Sequence, residues 1–222
     1  MKWLILALLI FVAVLTTSLF LRHGPGISAV HKATQAALAV STSTISEETP
    51  VYSIHAAYPV FGIPELDAKI KKIIEAGVAD VKGSDTNPSP NVVQNEFSSL
   101  FRKPYIGPDV ISVELLLSQY AGGAHNNSVA VGINFDPTTK KFLTLDDALK
   151  QTGKTLQSVS VLAKEQLTRE FGAVQFPEGI APTKDNYTTF VIEKDAVRFI
   201  FQEYQAEAFS AGMPEIRVPR MK

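Results

Sequence analysis

The sequence predicts an α+β fold with a mainly antiparallel sheet and packed helices, preceded by one N-terminal transmembrane helix. Three observations predict it: an uncharged apolar run at the start of the chain, strand-like segments that come in blocks, and amphipathic helices placed between those blocks. Strands grouped in this way are typical of α+β folds, whereas strict alternation of strands and helices would predict a parallel sheet.

The apolar run covers residues 3–21 and contains no charged residue. At a helical rise of about 1.5 Å per residue it is about 28 Å long, close to the thickness of the hydrocarbon core of a bilayer. A cleavable signal peptide would have a shorter apolar core and small residues at its cleavage site. Residues 1–22 are therefore expected to be a membrane anchor or uncleaved signal. The remaining chain would be the extracytoplasmic part of a single-pass cell membrane protein, and a secreted protein is the alternative.

The next two segments differ in composition. Residues 23–50 are rich in Ala, Ser, Thr and Gly and are predicted to be a flexible tether. Residues 51–91 are predicted to be a small strand–helix module, with Pro59 marking an edge strand or a strand end. Its helix starts at Pro64 and ends near Gly83. The apolar residues of that helix recur on one face: Leu66, Ile70, Ile73, Ile74, Val78 and Val81.

Residues 92–222 are predicted to form a larger α+β domain. Its first strands are expected at 92–103, 110–120 and 128–136. Thr144 and Asp147 are three residues apart, as in a capping box that starts a short helix. A longer helix is expected to follow Thr155 and to end at Gly172, and the chain closes with further strands.

Composition excludes several classes of function. The net charge is −1 and Lys and Arg are not grouped, which argues against binding of nucleic acid. The chain has no cysteine, so disulfides, thiolate nucleophiles and cysteine-ligated zinc are excluded. No phosphate-binding loop, dinucleotide fingerprint or GxSxG motif is present, and no cofactor or metal is expected.

The segment QYAGGAHNNS at residues 119–128 is the main candidate for a functional loop. Its two glycines suit a turn between strands, and its polar residues would be exposed there. Three hypotheses remain open: a simple surface turn, a ligand contact, or catalysis by His125 with a carboxylate such as Asp136, Asp146 or Asp147. A second irregular loop at residues 206–212 is also a candidate. The predicted ligand-binding residues are Tyr120, Gly122, Gly123, His125 and Asn126.

These motifs resemble the extracytoplasmic C-terminal domain of the RsiV-like, lysozyme-sensing anti-sigma factors. Residues 51–83 are similar to the module that precedes this domain there and in a PdaC-type peptidoglycan deacetylase. The sequence shows no sigma-binding or deacetylase part, so no sigma factor is expected as a partner. The residues that carry the resemblance are Tyr120, Gly122, Gly123, Ala124, His125, Asn134, Phe135, Asp136, Leu145, Asp146, Asp147, Tyr204, Ala208, Gly212, Val218 and Pro219.

The resemblance implies a non-catalytic binding or sensing domain that lies outside the membrane. Its expected partners are the membrane, through residues 3–21, and a cell-wall component such as peptidoglycan or a lysozyme-like protein. Two alternatives come from other functional classes: a hydrolase of cell-wall polymers that uses His125 with a carboxylate, and a structural or assembly protein of the envelope.

Overall fold

The computed structural model describes residues 38–83 and 94–221, which belong to one compact unit beginning at Leu38. These ranges contain ten strands and three α-helices. In chain order they are β1 (Ser41–Glu48), β2 (Tyr52–Val60), α1 (Pro64–Gly83), β3 (Asn95–Phe101), β4 (Tyr105–Ile106), β5 (Ile111–Tyr120), β6 (Asn127–Asp136), β7 (Lys141–Phe142), α2 (Leu145–Thr152), α3 (Leu156–Phe171), β8 (Phe190–Ile192), β9 (Ala196–Ile200) and β10 (Glu215–Pro219).

The strands form two sheets. The large sheet has seven strands in the order β1-β2-β3-β5-β6-β7, with β4 beside β5, and the small sheet has the order β10-β9-β8. Every strand pair is antiparallel except β2 with β3, which run parallel. The predicted α+β class with a mainly antiparallel sheet is therefore confirmed for the described residues.

The elements stack as layers. Helix α1 covers one face of the large sheet, and α2 and α3 cover the small sheet. The first apolar core includes Leu66, Ile70 and Ile74 of α1 with Ile54, Phe97, Val113 and Ile133 of the sheet. The second includes Val159, Ala163 and Leu167 of α3 with Val197, Phe199 and Ile216. Burial of these apolar side chains is the main stabilising contribution on both sides.

Strand β8 lies against the large sheet through buried polar groups. The amide of Asn134 donates to the Phe190 carbonyl at 2.8 Å, and its oxygen accepts from the Ile192 backbone N–H at 2.8 Å. The hydroxyl oxygen of Ser112 accepts from the same N–H at 2.9 Å. A Cβ at Gly132 would lie 1.9 Å from the Phe190 oxygen, so glycine is needed for this close approach.

The local signals for the helices are confirmed. Helix α1 starts at Pro64 and its last residue is Gly83. Thr144 and Asp147 form the capping box of α2. Thr155 caps the N-terminus of α3, and Gly172 is its C-cap with φ of 85°. Each signal depends on residues within one or two helical turns, so it can be recognised without tertiary information.

The prediction that residues 23–50 form a flexible tether is wrong for Ser41–Glu48. These residues form β1, which pairs with β2 from Ser41 opposite Val60 to Glu48 opposite Ser53. The segment STSTISEE has one large apolar residue, Ile45, because much of the strand is solvated. Its hydrogen-bonding partner, rather than its own hydrophobic pattern, makes it a strand. Residues 23–37 lie outside the described residues.

The predicted modules at residues 51–91 and 92–222 do not form separate sheets, because strands from both belong to the large sheet. Strand β2 pairs in parallel with β3, and α1 packs against side chains from both parts. A parallel crossover joins strands that are distant in sequence, so local patterns do not reveal it. Pro59 lies near the end of β2, beyond Ala56, the last residue paired with β3, which agrees with a strand end but not with an edge strand.

The predicted transmembrane segment, residues 3–21, lies outside the described residues. Within 38–83 and 94–221, none of the helices combines the length and the apolar character that crossing a bilayer requires.

Candidate functional site

The two loops predicted as a binding face meet in the structure. The loop between β5 and β6 carries His125, and the connection between β9 and β10 carries Tyr204 and Phe209. The His125 ring stacks on the Phe209 ring with centroids 3.9 Å apart and an interplanar angle of 23°. Tyr204 lies beside both rings, with its centroid 5.6 Å from that of Phe209. These three side chains are called the aromatic platform below.

The aromatic platform is accessible to solvent. His125 is exposed, Phe209 is half-buried, and Tyr204 keeps 54% of its surface exposed. Three neighbouring rings that are not covered by the protein form a surface with apolar faces and polar edges. Such a surface favours a ligand that also combines apolar faces with hydrogen-bonding groups.

The hydrogen bonds of His125 define the state of its ring. Its Nδ1 lies 2.9 Å from the Asn126 carbonyl oxygen, which can only accept, so Nδ1 carries the proton. In the neutral ring Nε2 is then an acceptor, and the Tyr204 hydroxyl lies 3.4 Å from it. The ring is therefore oriented from both sides, with one face on Phe209.

The loop between the strands explains the roles of the other predicted residues. Gly122 and Gly123 have φ values of 84° and 129°, which confirms that they make the turn. The Tyr120 hydroxyl donates to the Gly123 carbonyl at 3.0 Å and braces the loop. The Asn126 amide donates to the Ser118 hydroxyl at 3.2 Å. Of the five predicted residues, His125 alone belongs to the aromatic platform, and the others shape the loop around it.

The opposite side of the aromatic platform is fixed to the edge of β6. The Gln202 side chain accepts from the Ala130 backbone N–H at 3.0 Å and donates to the Ala130 carbonyl at 2.9 Å. The Glu203 carboxylate accepts from the Ser128 backbone N–H at 3.2 Å. These bonds hold the segment that precedes Tyr204, whose backbone φ is 63°. A non-glycine residue with positive φ is strained and requires such support.

Within residues 38–83 and 94–221, the structure does not bring His125 to a carboxylate. Among the described residues its polar partners are the Asn126 carbonyl and the Tyr204 hydroxyl. The three carboxylates named with His125 in the hydrolase hypothesis have other partners. Asp136 accepts from Thr138 and Thr139, Asp146 pairs with Lys184, and Asp147 caps α2. The acid–base pair required by the hydrolase hypothesis is not formed by these residues.

Hydrogen bonds from Thr139 lower the pKa of Asp136, which is therefore a charged acceptor in the turn after β6. Across the part of the chain that the structure describes, three or more His, Asp or Glu side chains do not come together in a way that could hold a metal ion.

Sequence analysis missed Tyr204 and Phe209 as site residues. Tyr204 was noticed as part of the family resemblance, and Phe209 lies within the candidate loop at residues 206–212. The available signal was the presence of two aromatic side chains in an irregular Ala-rich segment after a strand. Their contact with His125 could not be inferred, since Tyr204 and His125 are 79 positions apart.

A separate cleft of about 360 Å³ lies near the end of β10, and its lining includes Tyr105, Asp109, Lys194, Asp195 and Arg220. The Arg220 guanidinium in this cleft already has partners within the protein, because it pairs with Asp109 and donates to the Glu193 carbonyl. The aromatic platform is the better candidate, since His125 is exposed and Tyr204 keeps 54% of its surface exposed.

Comparison with known proteins agrees with part of the predicted resemblance. Residues 146–221 match the model of a protein family of unknown function, DUF3298. The match begins in α2 and includes Tyr204 and Phe209, whereas His125 precedes it. Over 187 residues the chain is 24% identical to the peptidoglycan-N-acetylmuramic acid deacetylase PdaC of Bacillus subtilis. That alignment covers 82% of this chain and 40% of the relative, so the chain spans less than half of that enzyme's length.

A solved structure shows a similar fold. A DUF3298 family member from Bacteroides fragilis superposes with a TM-score of 0.55 at 18% identity, covering 82% of this chain and 90% of that one. A DUF3298 family protein from Pseudomonas aeruginosa has a TM-score of 0.49 at 14% identity, covering 82% and 91%. The similarity to PdaC supports the resemblance to a PdaC-type protein that the sequence predicted. The resemblance to the RsiV-like anti-sigma factors stays a prediction.

Proposed function

We propose that this chain is a membrane-tethered, extracytoplasmic domain that binds the glycan of peptidoglycan on the aromatic platform and does not catalyse a reaction. The observation that carries the proposal is the stacking of His125 on Phe209, with Tyr204 beside them and exposed. Two loops that are distant in sequence are held together to present these rings.

The chemistry of the aromatic platform suits a sugar. A pyranose ring has C–H faces that can cover an aromatic ring and hydroxyl or amide groups at its edge. The Tyr204 hydroxyl and the polar groups of the loop at residues 121–126 lie where such edge groups would need partners. Because the rings are already oriented, binding requires little further loss of side-chain freedom.

The relative supports peptidoglycan as the ligand class, because its name states that it acts on the N-acetylmuramic acid of peptidoglycan. In this proposal the apolar run at residues 3–21 anchors the chain and the domain faces the cell wall. The proposal assigns no acid–base or nucleophilic role to His125, whose two ring nitrogens are both used to orient it.

The proposal is tested with the full-length chain in detergent and purified, enzymatically solubilised peptidoglycan. Titration calorimetry of Tyr204→Ala and Phe209→Ala should show affinity reduced about tenfold, or roughly 1.4 kcal/mol, as expected for loss of an aromatic anchor. Phe171→Ala is the matched control, because Phe171 is also a partly exposed aromatic residue but lies at the end of α3. That variant should bind as the wild type does.

Three outcomes would contradict the proposal. Binding that is lost equally in Phe171→Ala would show that the aromatic platform has no specific role. Binding of lysozyme without any binding of peptidoglycan would identify a protein as the ligand instead. Mass spectrometry of the glycan after prolonged incubation should show it unchanged, and appearance of cleaved or deacetylated products would show catalysis.

A further inference from the structure

We infer that the binding site continues from the aromatic platform across the open face of the large sheet, as a track for a linear polysaccharide of about four sugar units. This inference rests on the proposed function and names the form of its ligand: an extended glycan strand that lies across the β-strands rather than a single sugar.

A row of small polar side chains crosses five neighbouring strands. Ser46 of β1 pairs with His55 of β2, His55 with Ser98 of β3, Ser98 with Ser118 of β5, and Ser118 with Ser128 of β6. Residues that are directly paired point to the same face of a sheet. Neighbouring strands are about 4.8 Å apart, so the row is roughly 19 Å long. These five residues, four serines and His55, are called the hydroxyl row below.

Contacts within the first and the last pair of the hydroxyl row agree with this shared face. The Ser46 hydroxyl lies 3.4 Å from His55 Nδ1, and the Ser128 hydroxyl lies 3.5 Å from that of Ser118. Ser46 and His55 are exposed and the other members are half-buried, so the row can be reached from solvent. The four serine hydroxyls can donate to and accept from the hydroxyl and amide groups of a sugar, and at the β1 end the Glu48 carboxylate lies 3.6 Å from His55 Nε2.

A second row, with more apolar surface, runs beside the hydroxyl row on the same face. Thr44 pairs with Ala57, and Leu100 pairs with Leu116, which packs against Val191 and Ile200 of the small sheet. Leu100 keeps 65% of its surface exposed. Polar and apolar rows side by side match the two kinds of surface that a pyranose ring presents. Covering Leu100 with a ligand would remove apolar surface from water.

The hydroxyl row ends at the aromatic platform. Ser118 accepts a hydrogen bond from Asn126, the neighbour of His125, at 3.2 Å. At the adjacent strand, the Ser128 backbone N–H donates to Glu203, the neighbour of Tyr204. The small sheet covers this face at Gly132 and Asn134, so the uncovered part extends from Ser118 and Ser128 toward β1. A ligand on the platform is therefore directed along the row.

The spacing fits one sugar per strand. The length that each sugar adds to an extended β-1,4-linked pyranose chain is close to the distance between neighbouring strands, about 4.8 Å, so successive rings would meet successive strands. Each ring would find one polar side chain and one small or apolar one. Side chains that only contact a long ligand add affinity without changing how a short one is bound.

The test measures how the affinity for a glycan depends on its length, in the wild type and in a variant at the β1 end of the row. The full-length chain is titrated with peptide-free peptidoglycan glycan strands of two, four and six sugar units. Affinity should rise at least tenfold from two units to four and little from four to six. In the double variant Ser46→Ala, His55→Ala this gain should fall at least threefold, while the affinity for the two-unit strand stays unchanged.

Ser43→Ala is the matched control, because Ser43 lies on the same strand but pairs with Tyr58 on the opposite face. Thermal unfolding of each variant shows whether its fold is retained. Affinity that does not depend on length, or an equal effect of Ser43→Ala, overturns the track and leaves the platform proposal intact. Absence of binding at every length overturns the proposed function itself.

Discussion

Arg198 and Glu114 form an ion pair between the two sheets, with Nη2 of the arginine 2.6 Å from Oε2 of the glutamate. The two residues are only 5% and 2% exposed. Glu193 and Glu215 also contact the guanidinium, at 2.9 Å and 2.5 Å. Burial would lower the pKa of Arg198, but hydrogen bonds and charge from Glu114 and Glu215 outweigh burial and raise it. The arginine therefore stays charged between the two sheets.

Arg198→Met should destabilise the fold strongly, because it leaves the Glu114 carboxylate buried without its main partner. We expect a loss of about 3–5 kcal/mol in the free energy of unfolding, measured by urea denaturation. Arg102→Met is the matched control, since Arg102 contacts the same carboxylate at 3.3 Å but its side chain is 54% exposed. Its loss should be at most about 1 kcal/mol. Equal losses would show that burial does not determine the effect.

Gly132→Ala should also destabilise the protein, by about 1–3 kcal/mol or more, because the new methyl group would meet the Phe190 carbonyl and its backbone cannot rotate away. Gly83→Ala provides the comparison, since no atom lies within 4 Å of a Cβ there. Gly83 ends α1, so alanine should be neutral or slightly stabilising. Thermal unfolding that ranks the two variants in the reverse order would contradict the close packing of β8 on the large sheet.

Gln202→Glu tests whether the Gln202 side chain stabilises the fold through its hydrogen bonds to the backbone at the edge of β6. A carboxylate can still accept from the Ala130 N–H, but it cannot donate to the Ala130 carbonyl or to the Thr189 hydroxyl, both 2.9 Å from the amide. We expect a loss of about 1–3 kcal/mol in unfolding free energy. Glycan affinity should also fall, because Gln202 positions the segment that carries Tyr204.

Gln166→Glu is the control for that experiment. Gln166 bonds the N–H and carbonyl of Arg217 on β10 at 3.1 Å and 3.0 Å in the same two-point manner. These bonds are exposed, so water can replace the lost donor and the expected loss is below about 1 kcal/mol. If the two variants lost equal stability, burial of the Ala130 carbonyl would not be the cause.

Asp147→Ala should weaken the start of α2 in a pH-dependent way. Hydrogen bonds from the backbone N–H and then the hydroxyl of Thr144 lower the pKa of Asp147 below its ordinary value of 3.8. A lowered pKa in the folded state means that the charged carboxylate stabilises the fold above pH 3.8, and that this contribution is lost as the pH falls through the folded-state pKa. The variant should lose about 0.5–2 kcal/mol at pH 7 and approach the wild type in acid.

Asp146→Ala serves as its control, because Asp146 lies in the same helical turn but pairs with Lys184 at the surface. Its effect on unfolding free energy should stay below about 1 kcal/mol. Urea denaturation at several pH values compares the two. A difference between wild type and Asp147→Ala that stays constant into acid would show that the carboxylate charge is not involved.

The helices and most of the strands were predictable because their determinants are local. Thr144 with Asp147, Thr155 and Gly172 mark helix ends through groups a few residues away. The turn at Gly122 and Gly123 follows from the backbone freedom of glycine. The alternating pattern of β2 reflects one strand with a buried face, which is visible in its own residues.

Pairing between distant segments was not predictable in the same way. Ser41–Glu48 becomes a strand because β2 supplies its hydrogen bonds, and the parallel contact of β2 with β3 joins two predicted modules into one sheet. For the candidate site, the chain sequence indicated the loop of His125, but Phe209 and Tyr204 reach it only through the stacking of the two sheets. Short-range propensity and capping act within a few residues. The rings of the aromatic platform and the buried Arg198 meet their neighbours only because burial of two apolar cores brings distant strands together.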